Sequence, residues 1–108
     1  MEELLALRKR PTAVFASNDD MAAGALLVAH RRGLAIPGDL SIVGFDDISM
    51  AQRLWPPLTT VRQPIKRAAA TATGMLLDGL RTRDFTPVNQ EIPGELVIRE
   101  SAAAPPRK

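Results

Sequence analysis

The chain alternates short apolar runs with polar corners and longer segments of helical period. Its clearest example begins with an apolar run at residues 13–16, continues through the polar corner SNDD at 17–20, and leads into an apolar stretch at 21–29 that stops before Gly33. A short apolar run fits a buried strand, side chains of this polar kind cap helices, and glycine commonly ends them. We therefore predict a strand at 13–16 and a helix at about 20–32.

Two later runs repeat this arrangement. Residues 40–45, LSIVGF, end in an acidic pair, and residues 58–62, LTTVR, are followed by an apolar stripe of helical period at 64–83. Because helical segments separate the strands, the expected class is α/β, with a parallel sheet flanked by helices.

Polar residues follow the carboxyl end of each predicted strand, at Asn18, Asp46 and Gln63. Parallel strands bring their carboxyl ends to one edge, which is where open α/β sheets bind their ligands. An amide, a carboxylate and a second amide suit the binding of hydroxyl groups better than catalysis. Asp46 is the best candidate of the three, because a carboxylate accepts two hydrogen bonds and a charged acceptor binds more tightly than a neutral one.

These candidates have structural alternatives. Asn18 precedes a helix and could serve merely as its cap. Asp19 and Asp20 could be caps for the same reason, and for either of them we favour a cap role over a ligand role. Asp46 could cap a short helix that starts near Ile48, although Asp47 could cap it equally well. Phe45 is either part of the core or a wall on which a sugar ring stacks.

The remaining segments give weaker patterns. Amphipathic spacing predicts a short helix at residues 2–10. Residues 89–92 and 95–99 predict two short strands or one bent strand. Apolar and polar side chains alternate from residue 95 onwards, so we expect that part to lie at a sheet edge. Residues 102–108, AAAPPRK, have nothing to bury, and we expect a flexible tail there.

The helix predicted at 20–32 has no polar face before His30. Because a helix that covers one face of a sheet is usually polar on its other side, the outer face is expected to pack on another helix or on a second subunit. We favour a subunit interface, since a chain this short has few helices to spare. The apolar segment at 50–55 is expected to share that interface. The predicted interface residues are Ala22, Ala23, Leu26, Leu27, Met50, Leu54 and Trp55.

Composition excludes several classes of function. The chain of 108 residues has no cysteine and a single histidine, which rules out disulfides and the usual zinc sites, and we predict no metal and no cofactor. The net charge is +2, and basic pairs lie beside predicted helix ends, which favours solvated helix termini over nucleic-acid binding. No apolar run is long enough for a membrane span, and the amino terminus lacks the charge order of a secretion signal, so we expect a cytoplasmic protein.

Catalysis is not expected. A carboxylate pair such as Asp19 and Asp46 occurs in glycosidases, but nothing in the sequence sets the distance between the two carboxylates. We find no serine or cysteine arranged with a base and no glycine-rich phosphate loop, so we predict that the chain is not an enzyme.

Three motifs resemble the carboxyl-terminal half of the lactose-repressor/galactose-repressor (LacI/GalR) family of transcription regulators. They are SNDDMAAG at 17–24, PGDLSIVGFDD at 37–47 and PPLTTVRQP at 56–64, in the family's order, and the resemblance extends over nearly the whole chain. It implies a periplasmic-binding-protein-like fold of type I, of which residues 1–101 are a partial effector-binding and dimerisation domain, mostly its carboxyl-terminal lobe. The helix at 64–83 would belong to the other lobe.

The resemblance also implies roles for individual residues. Asn18 matches an asparagine that points into the effector cleft, Gln63 ends a strand at the crossover between lobes, and Ile65 falls where the family often has an apolar ligand contact. The family dimerises through the helix at 20–32 and the segment at 50–55. Together the predicted effector-binding residues are Asn18, Phe45, Asp46, Gln63 and Ile65.

The resemblance therefore implies the effector-binding and dimerisation portion of a DNA-binding transcription regulator. We expect a homodimer whose effector is a small molecule, most simply a carbohydrate. The family's helix-turn-helix has no counterpart in these residues, so we expect DNA to be bound only through a domain that this chain lacks, as in a truncated product. Two alternatives stay open: a fragment of a periplasmic sugar-binding protein of a transporter, and an oligomerising fragment that binds no ligand.

Overall fold

Four strands and three helices make up residues 1–105, which the computed structural model describes. In chain order they are α1 (Glu2–Ala6), β1 (Ala13–Phe15), α2 (Asp19–Arg31), β2 (Ser41–Val43), β3 (Thr60–Arg62), α3 (Ile65–Thr82) and β4 (Glu95–Val97). The chain divides into two compact units. The first unit comprises Met1–Arg62 with the chain from Leu96 onwards, and the second comprises Gln63–Glu95.

Three strands of the first unit run in the same direction. β1 pairs with β2 in parallel, with Phe15 opposite Val43. Beyond β2, Asp46 pairs in parallel with Arg62 of β3, and β3 in turn pairs with β4. The predicted α/β class with a parallel sheet is therefore confirmed.

The core of the first unit lies between α2 and the sheet. Buried residues recur three or four positions apart along α2, which places them on one face of the helix. That face covers the apolar side chains of β2. Each methylene group withdrawn from water there contributes about 0.8 kcal/mol to folding. The core residues are Ala16, Ala22, Ala25, Leu26, Ala29, Leu40, Ile42, Ala51 and Leu58.

β1 is more exposed than the sequence predicts. The expectation was a buried strand, yet both its end residues are exposed and Phe15 keeps 64% of its accessible surface. Within residues 1–105 β1 pairs with β2 alone, so it lies at the edge of the sheet. The prediction of a buried first strand was therefore wrong, because an apolar run does not distinguish an edge strand from a central one.

Three other predicted elements take a different form. The amino-terminal helix ends at Ala6 rather than at residue 10, because the next residue has an extended backbone. No strand forms at 89–92 in the part of the chain that the structure describes, and β4 is a single short strand. The segment at 49–53 forms turns rather than the short helix that Asp46 would have capped.

The chain after β4 is attached to β2. Ser101 is fully buried, and its hydroxyl donates a hydrogen bond to the Ile42 carbonyl at 2.5 Å. The N–H of Ala103 donates to the Ser41 hydroxyl at 3.1 Å, and the Ala103 carbonyl accepts from that hydroxyl at 3.3 Å. Part of the predicted flexible tail is thus bound to the sheet, while its end, residues 106–108, lies outside the described residues.

The second unit is built on α3, whose apolar side chains are largely exposed. Gly79 is the buried residue of this helix, and a Cβ atom there would lie 3.0 Å from the ring of Phe85. Beside it lies a groove of about 480 Å³ whose walls include Met75, Leu76 and Val88. No helix among residues 1–105 is both long and apolar enough to cross a membrane.

Candidate functional site

Asn18 precedes α2 and caps it. Its side-chain oxygen accepts a hydrogen bond from the N–H of Met21 at 2.8 Å, which satisfies one of the amide groups that a helix start leaves unpaired. The prediction that Asp19 or Asp20 caps this helix was therefore wrong. The amide nitrogen of Asn18 makes no hydrogen bond within residues 1–105, so a donor is available at this point of the chain.

Asp19 is fully buried and joins three segments. Its carboxylate accepts a hydrogen bond from the Thr60 hydroxyl at 2.5 Å and another from the Ile48 N–H at 2.9 Å. These donors, together with the amino end of α2, offset the cost of burying a charge. Asp19 therefore fastens the turns after β1 and β2 to β3, and it is closed to any ligand.

Gly44 leaves the space that this carboxylate occupies. A Cβ atom at position 44 would overlap the carboxylate of Asp19 and come within 2.9 Å of Leu58. Glycine is needed here because another group approaches the backbone closely.

Asp46 and Asp47 form a turn with an unusual backbone. Both have positive φ angles, 112° and 57°, which non-glycine residues seldom adopt and which cost about 1–3 kcal/mol each. The Asp46 N–H donates to the Val61 carbonyl at 2.8 Å, which attaches the turn to β3. Such strain persists only where surrounding contacts compensate for it.

Asp47 supplies that compensation through two arginines. Arg99 Nη2 donates to its Oδ1 at 2.6 Å, and Arg62 Nε donates to its Oδ2 at 2.7 Å. Burial by itself raises the pKa of Asp47, but the hydrogen bonds and positive charges of Arg99 and Arg62 together hold the pKa below its usual value of 3.8. The Asp47 side chain is 4% exposed, so it belongs to the framework of the turn.

Two phenylalanines stand beside this turn. The rings of Phe15 and Phe45 meet edge to face, with centroids 6.5 Å apart and planes at 80°. Phe45 is half-buried, whereas Phe15 is exposed and leaves apolar ring surface accessible. The sequence prediction missed Phe15, because it treated the whole of β1 as buried.

Contacts on both sides bring Asn18 and Asp46 to the same edge of the sheet. Each follows the carboxyl end of one of two neighbouring parallel strands. The phenylalanine pair joins the two turns on one side, and the hydrogen bond from Ile48 to Asp19 joins them on the other. The edge therefore combines an amide, a carboxylate and an aromatic ring.

The predicted effector-binding residues are divided between the two units. Asn18, Phe45 and Asp46 lie in the first unit, at the carboxyl ends of β1 and β2. Gln63 follows β3 and Ile65 begins α3, and both belong to the second unit. Their role as effector contacts stays a prediction.

The predicted dimer surface is available only in part. Ala22 and Leu26 are buried in the core of their own chain, so assigning them to an interface was wrong. They lie one helical turn apart on the face of α2 that covers the sheet. Leu27 and Trp55, in contrast, are 52% and 78% exposed. The half-buried members of the predicted set are Ala23, Met50 and Leu54.

The groups at this edge suit the binding of a polar ligand. Among residues 1–105 there is no group of three or more histidine, cysteine, aspartate or glutamate side chains placed to hold a metal ion. The carboxylate of Asp46 accepts hydrogen bonds, the amide nitrogen of Asn18 donates one, and the Phe15 ring adds an apolar surface. This combination fits a polar ligand that carries hydroxyl groups and has one apolar face.

Comparison with known proteins identifies the family. Residues 1–102 match the periplasmic binding protein-like domain. The chain belongs to that family. The periplasmic-binding-protein-like fold expected from the sequence is thereby confirmed, and the chain covers part of the domain.

Relatives of this periplasmic-binding-protein-like chain include transcription regulators. It is 41% identical over 106 residues to the HTH-type transcriptional repressor PurR of Erwinia tasmaniensis, covering 98% of this chain and 31% of the repressor. A putative transcriptional regulator LacI from Bacillus cereus subsp. cytotoxis superposes with a TM-score of 0.88 at 31% identity, covering 94% of this chain and 36% of that one. A LacI family regulator from Enterococcus faecium, with bound ribose, superposes with a TM-score of 0.82 at 36% identity. The match covers 99% of this chain and 38% of that regulator. The chain thus spans about a third of the length of the curated relatives it matches.

Proposed function

We propose that this chain is part of the effector-binding and dimerisation portion of a LacI-type, DNA-binding transcription regulator whose effector is a sugar or a similarly polar small molecule. One observation carries the proposal: Asn18 and Asp46 follow neighbouring parallel strands and lie at the same edge. Open α/β sheets bind their ligands at that edge. The relatives support this assignment, since they are regulators and one of them holds ribose.

The proposed contacts follow from the chemistry of each group. Asp46 would accept hydrogen bonds from two neighbouring hydroxyls, while Asn18 would donate one from its amide nitrogen. The exposed ring of Phe15 would cover the C–H face of a sugar. Gln63 and Ile65 are further candidate contacts, supported by the resemblance alone.

Ribose titration of the 108-residue chain tests this site. We expect ribose to shift the amide NMR signals of residues 15–19 and 45–48, and Asp46→Asn to abolish these shifts by removing the charged acceptor. Asp39→Asn is a matched control, because the Asp39 carboxylate accepts a hydrogen bond from the Ala35 N–H at 2.8 Å, in the loop before β2. If ribose, glucose and sucrose all leave those signals unchanged, or if the two variants bind alike, the proposed site is wrong.

We further propose that two copies associate through the exposed side of α2 and the segment at 50–55. Leu27 and Trp55 are exposed apolar side chains in these two segments. His30 and Trp55 line the same surface groove, which brings the end of α2 beside that segment. Because Leu27 and His30 are three residues apart, they share a helix face, and the two exposed apolar side chains can form one surface.

Sedimentation velocity tests this association. Leu27→Lys should shift the wild-type dimer to monomer, because it places a charge in an apolar contact. Leu77→Lys is the control, since Leu77 is similarly exposed but lies on α3. A wild-type chain that stays monomeric at high concentration would contradict the proposal.

In such a regulator, the effector would bind one conformation of the protein more tightly and so change its affinity for DNA. We assign the DNA contact to a part of the regulator other than these residues, and we place the regulator in the cytoplasm. In support, arginines among residues 1–105 form ion pairs with carboxylates of the same chain, including Arg32, Arg62, Arg81 and Arg99.

A further inference from the structure

The turn that carries Asp46 is attached to its surroundings on both sides. The N–H of Asp46 donates to the Val61 carbonyl at 2.8 Å, and the N–H of Ile48 donates to the buried carboxylate of Asp19 at 2.9 Å. Asp47, the residue between these two attachments, supplies the third through its side chain. The conformation of the turn therefore depends on what holds Asp47.

Arg99 holds Asp47 from a fixed position. It is 13% exposed and donates from Nη1 to the Leu58 carbonyl at 2.8 Å, while its own N–H donates to the Thr59 hydroxyl at 2.9 Å. Its remaining terminal nitrogen, Nη2, reaches Asp47 at 2.6 Å. The second partner, Arg62, is 48% exposed and is the less enclosed of the two.

The backbone explains why Asp47 matters to its neighbour. Two consecutive non-glycine residues with positive φ would relax towards commoner conformations if nothing opposed that change. Relaxation of the positive φ of Asp46 is a rotation about its N–Cα bond, which would swing its Cα–Cβ bond and change the direction of its carboxylate. Asp47 is too enclosed to contact a ligand there itself, so its effect must pass through the backbone.

We propose that Asp47, held by Arg99 and Arg62, is a positioning residue that fixes the conformation of Asp46 and thereby aims its carboxylate at the effector. This inference rests on the proposed effector site and adds to it a dependence of affinity on a residue that the effector does not touch. The geometric part, in which Asp47 sets the Asp46 backbone, can be measured without any ligand.

Two readouts on the full 108-residue chain test the proposal. Three-bond HN–Hα couplings and residual dipolar couplings report φ at Asp46, and ribose titration reports affinity. Asp47→Asn keeps the shape of the side chain but removes the charge that the arginines hold. We expect the Asp46 couplings to change and ribose affinity to fall about tenfold, the scale on which loss of a supporting contact weakens a site. Asp39→Asn, whose carboxylate also accepts a hydrogen bond, should change neither readout.

A purely structural role for Asp47 predicts a different result. In that case Asp47→Asn would lower the unfolding midpoint yet leave the Asp46 couplings and ribose affinity of the folded fraction as in wild type, which would overturn the proposal. If Asp47→Asn does not fold, Arg62→Gln takes its place, since it removes the more exposed partner and leaves the Arg99 contact. An Arg62→Gln variant with wild-type couplings and affinity would overturn the part of the proposal that assigns Arg62 to holding Asp47.

Failure of the effector site is recognised separately. If wild type binds no sugar, but Asp47→Asn still changes the Asp46 couplings, the proposed function is wrong while the geometric link between Asp47 and Asp46 is supported. If sugar binds and neither variant affects the couplings or the affinity, the effector site stands and the positioning role of Asp47 is wrong.

Discussion

The helices α2 and α3 show how similar sequence patterns lead to different burial. Both follow a strand of the parallel set, and both carry apolar residues at helical spacing. α2 buries residues along its whole length against the sheet, whereas in α3 the buried residue is Gly79. The comparison teaches that apolar spacing predicts a helix, while its burial depends on the segments that pack against it.

Acidic residues of the two units differ in the same way. In the first unit, Asp19 and Asp47 are enclosed and bound by donors from distant parts of the chain. In the second unit, Asp78 pairs with Arg81 one helical turn away, and Asp84 accepts hydrogen bonds from a residue two positions on. Three matched pairs of substitutions, two of acidic residues and one of leucines, test whether enclosure decides the effect of a substitution.

The largest difference is expected between Asp19→Ala and Asp78→Ala. Loss of Asp19 leaves the Ile48 N–H and the Thr60 hydroxyl without their acceptor inside the protein, and we expect a loss of about 3 kcal/mol or more in the free energy of unfolding. Loss of the exposed Asp78 ion pair should cost less than about 0.5 kcal/mol. Urea unfolding of both variants measures the difference, and equal losses would refute the contrast between the units.

A smaller difference is expected between Leu26→Ala and Leu76→Ala. Leu26 is 3% exposed in the core, so its truncation should cost about 2–4 kcal/mol by leaving a cavity. Leu76 is exposed on α3, and its truncation should change stability by about 0.5 kcal/mol or less. Amide hydrogen exchange, followed separately in the two helices, distinguishes these effects; protection lost from α3 in Leu76→Ala would show that this helix depends on its apolar side chains.

The smallest effect is a dependence on pH. The pKa of Asp47 is lowered in the folded protein, because the bonds and charges of two arginines outweigh the effect of burial. Its contribution to stability is therefore complete above the unfolded pKa, near 3.8, and is lost as the pH falls through the lower folded pKa. Asp47→Asn should make the free energy of unfolding less dependent on pH just below 3.8.

Asp84 is the control for this titration. Its pKa is also lowered, by hydrogen bonds from Thr86, but the group is fully exposed. Asp84→Asn should therefore leave the acid unfolding profile close to that of wild type. Measuring the free energy of unfolding between neutral pH and strong acid tests this comparison. A larger change in Asp84→Asn than in Asp47→Asn would contradict the prediction.

Much of the first unit could be predicted from the sequence, because the signals involved are local. Apolar runs and the capping residues around them located β1, α2, β2 and β3 to within a few residues, and the helix between β1 and β2 indicated the parallel direction of those two strands. Parallel strands have their carboxyl ends together, so Asn18 and Asp46 could be named from their positions alone. Phe15 could not be named as a site residue in this way, because a short apolar run such as residues 13–16 has the same pattern at the edge of a sheet as at its centre.

The sequence by itself determined where helices, strands and turns form, since neighbouring residues suffice to specify capping and apolar spacing. It could not determine which acidic side chains are enclosed, such as Asp19 rather than Asp20, or Asp47 between its two arginines. Those choices depend on donors supplied by residues that lie 15 to 52 positions away. Tertiary structure alone decided them, because a buried carboxylate is stable only where folding brings its donors to it.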